Sequence, residues 1–167
     1  MFDREYSFRG KHAQYVKDLV DKDKAGLFNR NIDVYILAPI IGYLYGRKAK
    51  EDTGELTTKI FAEQLHKEQI KLKFIYRLIM LLDDTYELTT EEKINRAFRE
   101  KDNIENMQIY ESYVLGGVEY LHEKLFDGKL NADDYLHGVY ELVDDFYQSL
   151  SIREEEQDIY DIIKKYG

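Results

Sequence analysis

The stretch Ile32-Asp33-Val34-Tyr35-Ile36-Leu37-Ala38-Pro39-Ile40-Ile41-Gly42-Tyr43-Leu44-Tyr45-Gly46 is the most apolar part of the 167-residue chain, and its reading decides the fold. Ala38, Gly42 and Gly46 recur every fourth residue, so on a helix they share one edge that is nearly free of side chains. A neighbouring helix can approach such an edge at backbone distance. The uncharged run 34–46 is too short to span a bilayer, so it is expected to form a central buried helix, with Pro39 marking a kink or a late start. Asp33 suits the positive N-terminal end of that helix and Arg30 can pair with it; Arg47, Lys48 and Lys50 follow at the negative C-terminal end.

Working outward, the pattern is helix after helix. Lys11–Asp21 places Val16, Leu19 and Val20 together, with Gly26 as a stop. Thr58 is expected to cap a long helix to about Leu82, striped by Phe61, Leu65, Leu72, Ile75, Ile79 and Leu82. Thr89 and Glu92 form a capping box for a short helix to about Glu100. A long helix over Asn103–Phe126 stops at Asp127-Gly128, and Asn131 caps the next, Ala132–Leu150, striped by Ala132, Leu136, Val139, Val143, Phe146 and Leu150. A last helix is expected over Ile152–Tyr166. No strand alternation runs for any length, and Arg47–Thr57 reads as the one mobile loop. The expected fold is all-α, a single helical bundle of six to seven helices spanning residues 1–167.

Charge is divided unevenly. Residues 1–82 carry fifteen Lys and Arg against eleven Asp and Glu, whereas residues 83–167 carry nine against twenty-two. The net charge of −9 disfavours nonspecific attraction to nucleic acid or anionic membrane. The asymmetry permits head-to-tail association of two copies. With no cysteine, thiolate metal sites and disulfides are excluded. The N-terminus lacks the pattern of a signal peptide, so a soluble cytoplasmic protein is expected.

Three histidines follow an acid by three residues: Glu63/His66, Glu119/His122 and Asp134/His137. That spacing serves carboxylate-bridged metal bundles, whose ligands must project inward. On a helical wheel His66 falls with Lys73 and Arg77, Glu119 faces outward with Glu105 and Glu123, and His137 lies beside Asp133, Glu141 and Asp144. The pairs are therefore expected to face solvent, and neither metal nor cofactor is expected. The stripe Asp133, His137, Glu141 and Asp144 reads instead as a solvated or docking face. Gly116-Gly117 interrupts a helix interior, which suits a close helix crossing. Tyr110, Tyr113 and Tyr120 flank the apolar stripe of the same helix and are expected at a half-wet oligomer or partner contact.

The run Asp33-Val34-Tyr35, Leu37-Ala38, Ile41-Gly42-Tyr43 and Tyr45-Gly46-Arg47-Lys48 resembles a motif of small accessory proteins of bacterial DNA-phosphorothioation restriction systems. Lys48 stands where that pattern has a second arginine, and Pro39 replaces a small or apolar residue. The resemblance implies a role beside a DNA-modification or phage-defence machine and carries no catalytic residues with it.

No Gly-x-Ser-x-Gly elbow and no His-Glu-x-x-His motif occurs. The expected function is a non-catalytic helical adaptor or regulator that self-associates and binds a protein partner. The alternatives are nucleic-acid binding through Arg30, Asn31, Arg47, Lys48 and Lys50, and DNA mimicry by the acidic half. Membrane binding is not expected.

Overall fold

The apolar run quoted above forms a helix in the computed structural model, which describes residues 2–24, 26–100, 103–129, 131 and 133–148. In chain order the elements are β1 (Tyr6–Arg9), α1 (Gly10–Val20), α2 (Asn31–Leu44), β2 (Thr57–Ile60), α3 (Ala62–Lys67), α4 (Gln69–Leu82), α5 (Thr90–Phe98), α6 (Ile104–Phe126) and α7 (133–148). The protein is mainly helical, as its periodicity predicts. The chain divides into two compact units, Met1–Glu123 and Lys124–Gly167. No helix among the described residues is long and apolar enough to cross a membrane.

The first unit is organised around α2, which buries Ile32, Val34, Tyr35, Ala38, Pro39, Ile41 and Gly42 and runs through Pro39 without a break. The glycines of α2 and α6 meet each other. A Cβ at Gly42 would overlap the Tyr113 carbonyl oxygen, one at Gly117 the Ala38 carbonyl oxygen, and one at Gly116 the Arg47 carbonyl oxygen. The two helices thus touch backbone to backbone, a distance that any side chain would prevent. Gly46 takes no part in this crossing: nothing lies within 4 Å of a Cβ built there. Its φ of +61° instead ends α2, with the Gly46 and Arg47 N–H groups donating to the Tyr43 and Gly42 carbonyls at 3.1 and 2.7 Å.

Two expectations about the elements give way. Thr58 caps no helix; it lies in β2, which pairs antiparallel with β1 in the register Tyr6 with Ile60 and Phe8 with Thr58. The long helix assigned to residues 58–82 is therefore a strand followed by α3 and α4, which meet at Glu68. Leu65, Leu72, Ile75 and Ile79 of its predicted stripe are buried, whereas Phe61 and Leu82 are exposed. The Arg47–Thr57 segment is tethered at several points. Ala49 N–H donates to the Ser112 carbonyl at 2.9 Å, Gly10 N–H to Leu56 at 2.8 Å, and Asp52 accepts from Lys11 N–H at 2.6 Å, capping α1 from a distance.

Tyr110, Tyr113 and Tyr120 are buried rather than half-wet. Tyr110 joins an edge-to-face cluster with Phe2 and Tyr35, ring centroids 5.9 and 6.2 Å away, and Tyr120 stacks on Tyr45 at 4.2 Å. They are core residues, so they supply no outer contact surface.

In the second unit Asn131 caps α7 as expected, its side-chain oxygen accepting from Asp133 and Asp134 N–H at 3.0 and 3.1 Å. Of the α7 stripe, Leu136, Val143 and Phe146 are exposed and Val139 is half-buried. Ala132, Leu150 and the expected helix over Ile152–Tyr166 lie outside the described residues.

Replacing Gly117 or Gly42 by a larger residue is expected to force the α2–α6 crossing apart, at about 1–3 kcal/mol of overpacking. Gly117→Ala and Gly42→Leu should lower the thermal midpoint by roughly 2–4 °C per kcal/mol for a chain of this size. Gly46→Ala should cost only the left-handed backbone penalty of about 1–2 kcal/mol. Circular-dichroism melts of the three variants check the order.

Candidate functional site

The turn at Gly46 aims the three cations that follow α2, and the α2–α6 crossing decides what they reach. Arg47 forms an ion pair with Glu123 and lies 5.7 Å over the Tyr120 ring. Lys48 donates to Asp83 at 2.9 Å and to Thr85 at 2.5 Å, with its ammonium 4.4 Å over the Tyr113 ring. Lys50 is exposed and makes no ion pair or hydrogen bond among the described residues. Arg30 bonds Asp33 at 2.6 Å and Glu68 at 3.2 Å, and the Asn31 amide donates to Thr58 and the Lys59 carbonyl at 3.0 and 2.9 Å, tying α2 to β2. Four of the five candidate recognition residues are thus engaged within the fold.

Lys48 reaches the hub of this region, Asp83, a fully buried carboxylate at the C-terminal end of α4. It also accepts from Thr85 at 2.6 Å, Tyr113 at 2.8 Å and Arg96 at 3.0 Å. Burial opposes its ionisation, but the hydrogen bonds from Thr85, Lys48, Tyr113 and Arg96 outweigh it and hold the carboxyl far below the usual range. Burial, followed by donation to Asp83, pushes the Tyr113 phenol up. Arg96 itself is buried and donates to Asn106 at 2.7 Å, while its Nη2 has no partner. Sequence reasoning missed Asp83 and Arg96. The one signal for Asp83 is a carboxylate placed where the helix dipole disfavours it, which calls for cations nearby.

The histidine pairs do not all face solvent. Glu119 meets buried His12 and Lys11, each at 2.9 Å, and His122 meets Asp18 at 3.1 Å while stacking on Tyr15 at 4.0 Å. Burial lowers the His12 pKa against the opposing Glu119 hydrogen bond. Helix α1 packs where the wheel of α6 alone suggests water. Glu63 pairs with Lys67 at 2.8 Å. Among the described residues no group of three or more His, Asp or Glu side chains comes together as a metal site would require. On α7, Asp133, His137, Glu141 and Asp144 are all exposed, with His137 3.3 Å from Glu141 and Asp144 2.7 Å from Gln148.

A surface that the inward stripe conceals lies on α4. Ile70 and Phe74 are four residues apart and so share one helical face, and they are 89% and 65% exposed. Lys67, Lys71 and Arg77 accompany them on the exposed side, Lys71 bonded to Glu68 at 3.0 Å and Arg77 lying 5.1 Å over the Phe98 ring. Two large apolar side chains thus lie exposed on one face of α4.

A family model described as DNA sulphur modification system-associated protein 4 matches residues 9–162, nearly the whole chain. The chain belongs to that family, and the resemblance read from residues 33–48 extends far beyond its motif. No curated protein and no solved structure matches the chain.

Asp83→Asn is expected to leave Lys48 and Arg96 without their buried counter-charge and to cost about 3–5 kcal/mol near neutral pH. Because the folded pKa of Asp83 is depressed, its contribution is fully present above the ordinary aspartate value of about 3.9 and is lost as pH falls below it. Denaturant unfolding across acid pH should show wild-type stability converging toward that of Asp83→Asn.

Proposed function

We propose that this member of the DNA sulphur modification system-associated protein 4 family serves its system in the cytoplasm as a non-catalytic adaptor or regulator, binding a protein partner and associating with its own copies. The observation that carries this reading is the exposed pair Ile70 and Phe74 on α4, set among Lys67, Lys71 and Arg77. Burying side chains of this size against a partner contributes about 1.5–3 kcal/mol each. Of the cations around them Lys67 and Lys71 are paired with Glu63 and Glu68, which leaves Arg77 to favour a partner carboxylate.

The engagement of Arg30, Arg47 and Lys48 favours protein over nucleic acid. Phosphate would have to compete with Asp33, Glu68, Glu123 and Asp83 for these groups, and Asp83 is a buried acceptor. Self-association draws on α7, which exposes Leu136, Tyr140 and Val143 together with Asp133, Glu141 and Asp144. Two copies meeting α4 to α7 would set cations against carboxylates around an apolar centre, a head-to-tail arrangement.

The test is the double variant Ile70→Ser/Phe74→Ser. Both residues are exposed, so the fold should keep its stability within about 0.5 kcal/mol per site. Multi-angle light scattering should show loss of self-association, and pull-down from the native host should lose the partner held by wild type. Unchanged assembly and unchanged capture would remove the α4 face from the reading. In the same assay Lys50→Glu, at the exposed cation after α2 that makes no ion pair among the described residues, would abolish capture instead if recognition lay at the end of α2.

A further inference from the structure

The N-terminal segment, α2, α3 and α6 line a half-open pocket of about 420 Å³ that the adaptor reading does not use. Its walls are the rings of Phe2, Tyr6 and Tyr35 with the apolar chains of Leu65 and Met107. One acidic side chain of α6, Glu111, faces it, and Asp3, Arg4 and Glu5 stand at the N-terminal side.

Glu111 is the anomaly. It is half-buried and makes no hydrogen bond or ion pair with any described residue. Two turns further along α6, Glu119 is also half-buried but is held by Lys11 and His12. Burial, with the charge of Glu51 adding to it, raises the Glu111 pKa, so its ionised form is under-solvated where it stands. The charge of Glu111 in turn contributes to the raised pKa values of Tyr6, Tyr35 and Tyr110, after the larger effect of burial, which places all three phenols within its field. The Tyr110 hydroxyl is buried without a partner. A half-buried carboxylate without a protein partner is under-compensated, and a cationic donor is the partner that would favour its ionised form.

We propose that this cavity receives an ammonium or guanidinium group carried on a short alkyl chain, the cation seated on Glu111 and the chain lying among Phe2, Tyr6 and Tyr35. Aromatic faces attract such cations, and the alkyl stem matches the apolar wall. The volume is at the small end of ligand pockets and fits a chain the size of a lysine or arginine side chain. A hard divalent cation would need several converging oxygens, and Asp3, Glu5 and Glu111, the carboxylates of the lining, do not come together as a metal site among the described residues. The cation has two sources, a free alkylamine or a lysine or arginine side chain of a bound protein, and both present the same chemistry to Glu111.

The experiment titrates the full chain with 1,5-diaminopentane, agmatine and a doubly blocked lysine peptide, with 1-pentanol and pentanoate as neutral and anionic controls. Calorimetry and tyrosine-ring NMR shifts are the readouts. Saturable binding of the cations with a Kd of about 1 mM or tighter is expected, with none for the controls. Glu111→Gln should weaken it at least ten-fold while the free variant melts no lower than wild type, since an unpaired charge is removed. Tyr6→Leu, at the edge of the same wall, should weaken it as well and serves as the second variant should Glu111→Gln fail to fold. Tighter binding of the peptide than of the free amines assigns a protein partner's side chain; the reverse order assigns a small metabolite. Absence of cation binding to wild type, or equal binding by both variants, overturns the proposal. Ile70→Ser/Phe74→Ser should bind the same cations unchanged, which separates this site from the α4 face.

Discussion

The backbone contact between α2 and α6 is the constraint on which the rest of the first unit depends. Gly42, Gly116 and Gly117 each face a carbonyl oxygen of the opposing strand of chain, and none has room for a Cβ. Because Gly116 admits the Arg47 carbonyl, the segment leaving α2 runs directly against α6, where Ala49 bonds Ser112. That path carries Lys48 to Asp83 and Arg47 to Glu123. Side chains at the crossing would move the segment outward, and the cations with it. Helix packing and electrostatics are therefore one arrangement here, not two.

Three carboxylates that leave water meet different fates in this fold. Asp83 gathers two cations and two hydroxyls and is held ionised. Glu119 takes a histidine and a lysine from α1. Glu111 takes nothing and faces a cavity with aromatic walls. The first two are structural, since each ties together elements far apart in sequence. The third has no structural reason to be a carboxylate, which is why it points to a ligand.

The chain belongs to a family associated with a DNA sulphur modification system, yet Arg30, Arg47 and Lys48, the cations at the two ends of α2, are each ion-paired within the fold. What it leaves open is apolar: Ile70 and Phe74 on α4, and Leu136, Tyr140 and Val143 on α7. Exposed apolar surface of this kind is what the proposed protein-binding role draws on.

Much of the fold was legible in local sequence. The Thr89–Glu92 box, the Asn131 cap and the small residues of α2 and α6 are short-range patterns; the two caps lie where the pattern placed them, and of the small residues Ala38, Gly42, Gly116 and Gly117 lie at the crossing whereas Gly46 ends α2 instead. Such patterns report how a segment completes its own backbone hydrogen bonds and which of its faces can approach another. The four-residue strands were not legible, because their stability comes from pairing Tyr6–Arg9 with residues some fifty positions away. Nor were the partners of Lys48, Glu119 and the buried tyrosines, or the exposure of the α7 stripe. A helical wheel states which side chains share a face but not what that face meets. Whether Glu119 meets water or His12, and whether Val143 meets a core or solvent, is decided by long-range packing alone, because the energy of a charge or an apolar group is set by its surroundings and not by its position along the chain.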